Sequence, residues 1–392
     1  MEKPKNPSAC SAMDSATTTS MSVSTLLLIA EVNCASVRPI ALSPGRLFIE
    51  GRCISTISRQ VSILDEGGLR SDYSVGIARI SMEETWEGNF LGLEEDEFGP
   101  WDVVILPIPY EMTTSWMEGT ERGPKACIEA SSQVELYDPI LPRDLPCGMS
   151  FHTADEWVSD AGTLDAQLES IREYVQPWIG DCFPLILGGE HGILPPIIEA
   201  VSKHPILGGD LSNLTLVQID AHADLRDELN GERFSHGTAI RRALDLGVGR
   251  AIQIGTRALS REEASFSESD PRVETWFARD FMGVCDGEAG WSRLVHSLDL
   301  IEGPVWITFD VDGLDGSLVP STGTPVPGGI AYWAAVEIIE RVFSAPKSVV
   351  IGADVNEIVP CQEGPLTEFN AALIASKMVS CHIAQLLSGK GE

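Results

Sequence analysis

From Trp101 onward, short apolar runs alternate with longer amphipathic segments. The apolar runs cover residues 102–107, 183–187, 214–219, 251–254, 305–309 and 349–351, and the clearest amphipathic segments cover residues 166–179, 194–203, 237–246 and 332–343. Apolar runs of strand length separated by segments of helical period are typical of parallel sheets that are covered on both faces. The pattern therefore predicts an α/β fold, a three-layer α/β/α arrangement with a mostly parallel central sheet.

Residues 1 to about 80 differ from the rest of the chain in composition and in hydrophobic periodicity. Ser and Thr dominate residues 8–25, and no sustained helical or strand period follows before about residue 80. Such composition favours poor order or loose docking. We therefore predict an N-terminal extension over residues 1–81 and a main domain over residues 82–392, with Met82 as a candidate natural start. A small accessory domain or an oligomer arm is the alternative for the extension.

The overall charge narrows the range of partners. A formal net charge of −31 over 392 residues argues against nucleic acid, which requires a basic footprint, and against an anionic membrane surface. A negative field is compatible with a cationic small substrate, although an acidic surface more often serves solubility.

The nine Cys include no C-x-x-C pair, which favours a reducing cytoplasm. The apolar run at residues 26–30 is too short to span a bilayer.

Polar clusters follow four of the predicted strands. The most informative is Asp220-Ala-His222-Ala-Asp224, which follows the run at 214–219 and would place three ligand side chains on one side of an extended backbone. The other clusters contain His191, the pair Asp310 and Asp312, and the segment 354–357 that ends in Glu357. Ligand sites in α/β sheets lie at the carboxyl ends of strands, so these clusters are expected to meet.

The candidate ligands comprise four carboxylates and two imidazoles: His191, Asp220, His222, Asp224, Asp310 and Asp312. One cation does not need six such groups, whereas two neighbouring cations with bridging carboxylates do. Mixed oxygen and nitrogen ligands suit manganese, nickel, iron or zinc better than calcium. The sequence contains neither a G-x-S-x-G elbow nor a phosphate-binding P-loop, so metal-assisted hydrolysis is the predicted chemistry.

Taken together, these motifs resemble the ureohydrolase family of arginases and agmatinases. The resemblance rests on the Gly-Gly-Glu-His run that ends at His191, the 220–224 run, Ser235-His236-Gly237, the 310–315 run and Thr322-Gly-Thr-Pro325, and it extends from about Trp101 to the C-terminus. It implies an arginase-like fold, urea release from a guanidino substrate, and two Mn²⁺ per chain, with Ni²⁺ as an alternative. It also implies a homotrimer or homohexamer.

The resemblance further implies individual roles. Asp220 and Asp310 would bridge the two metals, with His191 and Asp224 completing one site and His222 and Asp312 the other. His236 would act as a proton shuttle. Glu357 would be the acid that pairs with the substrate guanidinium, and Thr324 would contact the substrate through its hydroxyl. Asp224 would also pass a proton to the leaving amine. A structural role for His236 and turn chemistry for Thr324 are the alternatives.

Substrate choice is less constrained. The segment Ser235-His236-Gly237-Thr238 and the 113–120 loop resemble the agmatinase branch, which predicts hydrolysis of agmatine to putrescine and urea as part of polyamine biosynthesis. Aminopropylagmatine, free guanidine and guanidino acids are alternatives within this chemistry. A non-catalytic metal-binding assembly subunit is the alternative from another class, and a single-zinc deacetylase of related architecture would not explain six ligands and Glu357.

Three positions depart from the family pattern. Glu190 stands where Asp is usual, Gly192 where Ser is common, and Gly316 where Pro is common. None is a predicted ligand, so the metal centre is expected to survive these changes.

Overall fold

A computed structural model describes residues 39–43, 46–49, 52–53, 88–95, 98–283 and 287–389. The chain divides into two units, Met1–Glu83 and Glu84–Glu392. In the first unit the structure describes three short antiparallel strands in the order β1-β2-β3: β1 (Pro39–Ser43), β2 (Arg46–Ile49) and β3 (Arg52–Cys53). The predictions of a poorly ordered or loosely docked extension over residues 1–81 and of a start at Met82 otherwise lie outside the described residues.

The second unit contains one eight-stranded sheet in which every pairing is parallel. Its strands in spatial order are β5 (Phe151–Thr153), β4 (Val103–Ile108), β6 (Phe183–Gly188), β11 (Lys347–Asn356), β10 (Glu302–Asp310), β7 (Thr215–Ile219), β8 (Arg250–Thr256) and β9 (Val273–Phe277). The predicted mostly parallel sheet is thus confirmed, and within the described residues it is wholly parallel.

Helices connect the strands of the second unit. The described α-helices are α1 (Gly123–Ser131), α2 (Leu164–Val175), α3 (Leu194–Val201), α4 (Ala239–Asp245), α5 (Arg261–Ser269), α6 (Ala278–Phe281), α7 (Gly287–Asp299), α8 (Tyr332–Ser344) and α9 (Leu366–Leu387). No described helix has both the length and the apolar character needed to cross a membrane.

Side chains of each central strand alternate between two hydrophobic cores. In β4, Val103 and Ile105 join the core that contains α8 and α9, whereas Val104 and Leu106 join the core that contains α2, α3 and α4. This alternation follows from the period of two along a strand. Because both faces are buried, the central strands are mostly apolar on both sides, which explains why the sequence shows apolar runs and no regular polar alternation.

Strand order determines where the site forms. The four central strands β6, β11, β10 and β7 lie side by side, and because they are parallel their carboxyl ends share one edge. All four polar clusters of the sequence follow or end these strands. Strand β11 runs to Asn356, further than the predicted 349–351 segment, so Asp354 lies inside the strand and is fully buried.

Candidate metal centre and substrate pocket

Each predicted metal ligand lies at the carboxyl end of a central strand. His191 begins a 3-10 turn just after β6, and Asp220 directly follows β7. Asp310 is the last residue of β10, and Asp312 lies in the 3-10 turn that follows it. Loop residues after Asp220 supply the remaining two, His222 and Asp224.

One group of ligand atoms surrounds the imidazole of His191. Its Nδ1 atom lies 2.9 Å from Asp224 Oδ2, 3.2 Å from Asp220 Oδ2 and 4.0 Å from Asp310 Oδ2. Within the set His191, Asp220 and Asp310, one ligand atom from each residue lies within 4.8 Å of the others. His191, Asp220, Asp224 and Asp310 are all buried. This arrangement has the ligand types and the spacing of a divalent cation site.

A second group surrounds the imidazole of His222. Its Nδ1 atom lies 2.9 Å from Asp312 Oδ2 and 3.6 Å from Asp220 Oδ1. Asp220, His222 and Asp312 also offer ligand atoms within 4.8 Å of one another. Since Asp220 belongs to both groups, its two carboxylate oxygens lie between the two candidate sites. The structure therefore brings all six predicted ligands together, in two groups that share a carboxylate.

The backbone holds these carboxylates in place. Asp220 Oδ1 accepts the N–H of His222 at 2.6 Å, and its Oδ2 accepts the side-chain amide of Gln218 at 2.7 Å. Asp312 Oδ1 accepts the N–H of Ala221 at 3.0 Å, which leaves Oδ2 facing His222. These hydrogen bonds fix the orientation of the carboxylates, and fixed ligands lower the cost of binding a cation.

Asp224 reaches the site by an unexpected route. Its backbone has φ = 51°, in the left-handed region that residues with a Cβ seldom adopt. The extended conformation on which the alternation argument depended is therefore wrong at this residue. Asp224 nevertheless lies 2.9 Å from His191, because the left-handed turn redirects the chain toward the site.

The crowded charges perturb the acids strongly. Burial and the charges of Asp312 and Asp220 raise the pKa of Asp310 well above its usual value. Burial and the charge of Asp220 likewise raise the pKa of Asp224 to about 7. Burial alone would raise the pKa of Asp220, but hydrogen bonds and charge from His191 and His222 outweigh it and lower that pKa. Buried carboxylates that repel one another are the donor set that divalent cations stabilise.

The imidazole of His191 has a defined tautomer. Its Nε2 atom lies 2.8 Å from Thr308 Oγ1, whose hydroxyl donates to Asp354 Oδ1 at 2.6 Å. Thr308 can therefore only accept from His191, so Nε2 carries a hydrogen and the neutral ring presents its lone pair at Nδ1. Without a cation, hydrogen bonds and charge from Asp220 and Asp224 outweigh burial and raise the pKa of His191 well above its usual value. This Nδ1 atom is buried and has no partner in hydrogen-bond geometry among the described residues, although carboxylate oxygens surround it. An orphaned lone pair beside carboxylates fits a metal ligand.

The predicted substrate residues line one cavity beside the metal centre. The cavity has a volume of about 430 Å³ and is lined by Glu357, His236 and Thr324 together with the predicted ligands His191, His222, Asp224 and Asp310. Glu357 Oε1 accepts the backbone N–H of His191 at 2.8 Å, and the φ of Glu357 is 65°. Burial and the charge of Glu190 raise the pKa of Glu357 to about 8. The hydrogen bond from the His191 N–H opposes this shift but does not cancel it.

The sequence pattern does not indicate two residues that orient parts of the site. One is Thr308, the threonine of the β10 run. The other is Arg257, which follows β8 and donates hydrogen bonds to the carbonyls of Asp312, Val326 and neighbouring residues. This guanidinium ties the loop that carries Asp312 to the loop after Thr324. Neither residue stands in a cluster of ligand types, so pattern reasoning has no signal for them.

Comparison with known proteins places this arrangement in a wider context. A family model described as Arginase family matches residues 101–381. An N(1)-aminopropylagmatine ureohydrolase from Synechocystis is 33% identical over 283 residues, which cover 71% of this chain and 88% of that protein. An agmatinase from Pyrococcus horikoshii is 32% identical, over 69% of this chain and 88% of that protein. The crystal structure of agmatine ureohydrolase of Thermoplasma volcanium superposes with a TM-score of 0.61 at 27% identity, covering 74% of this chain and 92% of that one.

Proposed function

The chain belongs to the arginase family and is a hydrolase of guanidino compounds, and we propose that its substrate is agmatine, which it cleaves to putrescine and urea. The observation that carries this proposal is the shared cavity, in which Glu357, His236 and Thr324 line the same space as four candidate metal ligands. A relative at 32% identity that is named agmatinase supports agmatine, whereas the relative at 33% identity that is named N(1)-aminopropylagmatine ureohydrolase supports aminopropylagmatine as the alternative within the same chemistry.

The donor set fits two divalent cations, with Mn²⁺ proposed first and Ni²⁺ as the alternative. One would be held by His191, Asp224, Asp220 and Asp310, and the other by His222, Asp312 and Asp220, which belongs to both groups. The family resemblance implies that Asp310 also serves both cations. When bound, such a pair activates water for hydrolysis and stabilises developing negative charge.

Glu357 is proposed to hold the guanidinium. A planar cation with several N–H donors is best bound by a carboxylate that accepts two of them. Glu357 Oε1 is oriented by the His191 N–H, and the side chain lies at the cavity wall beside Asp310. By fixing the guanidinium in the cavity, Glu357 would make the hydrolytic attack effectively unimolecular.

Proton transfer is assigned to Asp224 and His236. Asp224 is buried at the centre of the site, 2.9 Å from His191 Nδ1 and on the wall of the cavity, so it is proposed to carry a proton to the leaving amine. His236 is partly exposed and lines the cavity, so it can exchange protons with solvent and restore the proton that is lost.

A guanidino acid is the second candidate substrate, because of one residue. Arg226 lines the cavity and makes one ion pair with a described residue, from its Nε to Glu263 Oε2 at 3.6 Å. Glu263 already accepts the N–H of Ser260, which caps α5, and the N–H of Leu225 in the loop after β7. The Arg226 fork is thus positioned to pair with a carboxylate at the far end of a substrate chain.

A substrate panel tests both candidates. Agmatine, aminopropylagmatine, arginine, 4-guanidinobutyrate and guanidine are compared with Mn²⁺ and Ni²⁺ by urea release. We expect the highest kcat/KM for agmatine, with one putrescine formed per urea. A maximum for 4-guanidinobutyrate that disappears in Arg226→Leu establishes the second candidate instead. Absence of urea from every compound, with two metals bound, leaves the non-catalytic assembly subunit.

Three further expectations belong to this proposal. The protein is proposed to form a homotrimer or homohexamer, to act in the cytoplasm and to serve polyamine biosynthesis. All five cysteines whose side chains the structure describes are free, which agrees with the reducing compartment inferred from their spacing. Light scattering of the purified protein distinguishes a trimer or hexamer from a monomer.

A further inference from the structure

The buried carboxylate of Glu190 gathers one short loop, residues 112–114. Its oxygens accept the backbone N–H of Met112 at 3.2 Å, the backbone N–H of Thr113 at 2.8 Å, the Thr113 hydroxyl at 2.7 Å and the Thr114 hydroxyl at 3.2 Å. All four groups donate, so Glu190 serves only as an acceptor. Neither the metal centre nor the proposed proton transfers use this acid, although it directly precedes His191 in the chain.

The loop connects Glu190 to His236 through a single oxygen. Thr113 Oγ1 gives its hydrogen to Glu190, so it can only accept from His236. It accepts the backbone N–H of His236 at 3.1 Å, and the ring Nδ1 lies 3.2 Å away. This contact places the hydrogen on Nδ1. No hydrogen bond joins Nε2 to any other residue that the structure describes, so this atom is left to the cavity that His236 lines.

We infer that Glu190 and Thr113 are positioning residues that fix the ring orientation and tautomer of His236. The inference rests on the proposed function, in which His236 exchanges protons between solvent and the leaving amine. A proton carrier needs the correct nitrogen facing its partner, since the two ring nitrogens are not equivalent. Glu190 and Thr113 touch no reacting group; they act through His236.

The missing side chain at Gly192 leaves room for the glutamate at position 190. A Cβ at residue 192 would lie 3.1 Å from Glu190 Oε1 and 3.4 Å from the backbone nitrogen of His236. The first distance is tighter than ordinary van der Waals contact and the second lies at its lower limit, and both atoms belong to the Glu190–Thr113–His236 connection. The longer acid at 190 and the absent side chain at 192 are therefore coupled. This pair replaces the shorter Asp and the Ser that the family pattern has at these two positions.

The first experiment measures steady-state kinetics on agmatine for variants of the loop. Thr113→Val keeps the shape of the side chain and removes the hydroxyl, and we expect kcat to fall about tenfold with KM nearly unchanged, as for loss of one orienting hydrogen bond. Thr113→Ser restores the hydroxyl and should recover most of the rate. Thr114→Val is the matched control, because Thr114 contacts Glu190 but makes no hydrogen bond to His236, and it should stay within about twofold of the wild type.

A double-mutant cycle separates positioning from a general loss of structure. In a His236→Asn background, Thr113→Val should cause no further loss, because the residue through which it acts is gone. The same tenfold loss in both backgrounds, or a Thr113→Val enzyme as fast as the wild type, overturns the inference.

The second experiment tests the coupling of residues 190 and 192. Gly192→Ser alone crowds Glu190 Oε1 and should lower kcat, and Glu190→Asp alone should withdraw the carboxylate from Thr113 and also lower kcat. The Glu190→Asp/Gly192→Ser double variant should be faster than either single variant. Losses that simply multiply show that the two positions are independent and contradict this part of the inference.

Failure of the proposed function remains distinguishable from failure of the positioning role. If the wild type releases urea from another guanidino compound, the same variants are measured with that compound. If it releases none, the tautomer is read directly from ring ¹⁵N chemical shifts of the zinc-loaded protein, with His236 assigned from the His236→Asn variant. A single Nδ1–H tautomer that becomes mixed in Thr113→Val supports the inference, and an unchanged spectrum refutes it.

Discussion

His191 Nε2 and Thr308 Oγ1 lie 2.8 Å apart, and the hydroxyl hydrogen of Thr308 is donated onward to Asp354. These two hydrogen bonds orient the His191 ring so that Nδ1 faces Asp220 and Asp224. Removing the hydroxyl frees the ring to rotate or to change tautomer. Thr308→Val should therefore weaken metal binding at the His191 site by about ten- to a hundredfold. Competition with a calibrated chelator measures this change, and Thr308→Ser should bind metal as the wild type does.

Loss of a predicted ligand should affect the metal content itself. Asp310→Asn or His222→Ala should reduce the bound metal below two per chain and abolish urea release, because each removes a group that the candidate sites require. Metal content by mass spectrometry after dialysis checks the outcome. Asp181→Asn is a suitable control, since Asp181 is exposed and lies before β6, at the opposite edge of the sheet. Full activity with two metals retained in Asp310→Asn would falsify the ligand assignment.

Gly323 leaves room for the carboxylate of Glu357. A Cβ at residue 323 would lie 2.9 Å from Glu357 Oε2, so Gly323→Ala must push that oxygen aside. The displaced atom ends a side chain, so the fold should tolerate the change, but the guanidinium loses its alignment. We expect kcat/KM to fall by about tenfold to a hundredfold while the melting temperature is nearly unchanged. Gly316→Ala meets its nearest atom at 3.9 Å and should behave as the wild type.

His382 should make stability depend on pH. Its ring stacks on Phe183 with centroids 4.0 Å apart, its Nδ1 has no partner among the described residues, and burial lowers its pKa to about 4. The unfolded chain has an ordinary histidine pKa near 6.5, so below that pH it binds more protons than the folded chain does. The stability that the neutral ring supports is complete above about pH 6.5 and falls as the pH drops toward 4, by roughly 2 kcal/mol at pH 5.

Comparison of the wild type with His382→Phe isolates this contribution. Both proteins are unfolded with urea at pH 7.5 and pH 5.0 in the presence of a chelator, so that metal release contributes to neither. The wild type should lose more stability than His382→Phe on acidification. Substitution of the exposed His296 by Phe is the control and should leave the pH dependence unchanged. Equal losses in the wild type and His382→Phe would contradict the assignment.

Central strands were predictable because they are buried on both faces. Strands β4, β6, β7, β8 and β10 appear in the sequence as continuous apolar runs, and the polar residues that follow them indicate the edge where the site forms. The edge strands gave no such signal. β5 has three residues, and β9 is half-buried, so neither shows an apolar run long enough to recognise. The 22-residue helix α9 is buried on most sides, which weakens the period that marks an amphipathic helix.

Ligand identity was easier to predict than ligand geometry. Carboxylates and imidazoles at strand ends point to a metal from their chemistry alone, whereas the left-handed backbones of Asp224 and Glu357 depend on packing that no local pattern reports. Thr308 and Arg257 act by orienting other groups. Their side-chain types are common in strands and loops, so only coordinates reveal that they hold His191 and the Asp312 loop in place.

Order along the chain differs from order across the sheet. The strands that precede His191 and Asp220 are successive in synthesis, yet β10 and β11, which are made last, lie between them. A nascent polypeptide on the ribosome therefore cannot assemble the cation-binding cradle until the segment through Asn356 has emerged. Chains terminated before Asp310 should therefore be unable to assemble the cradle or to bind the two proposed cations.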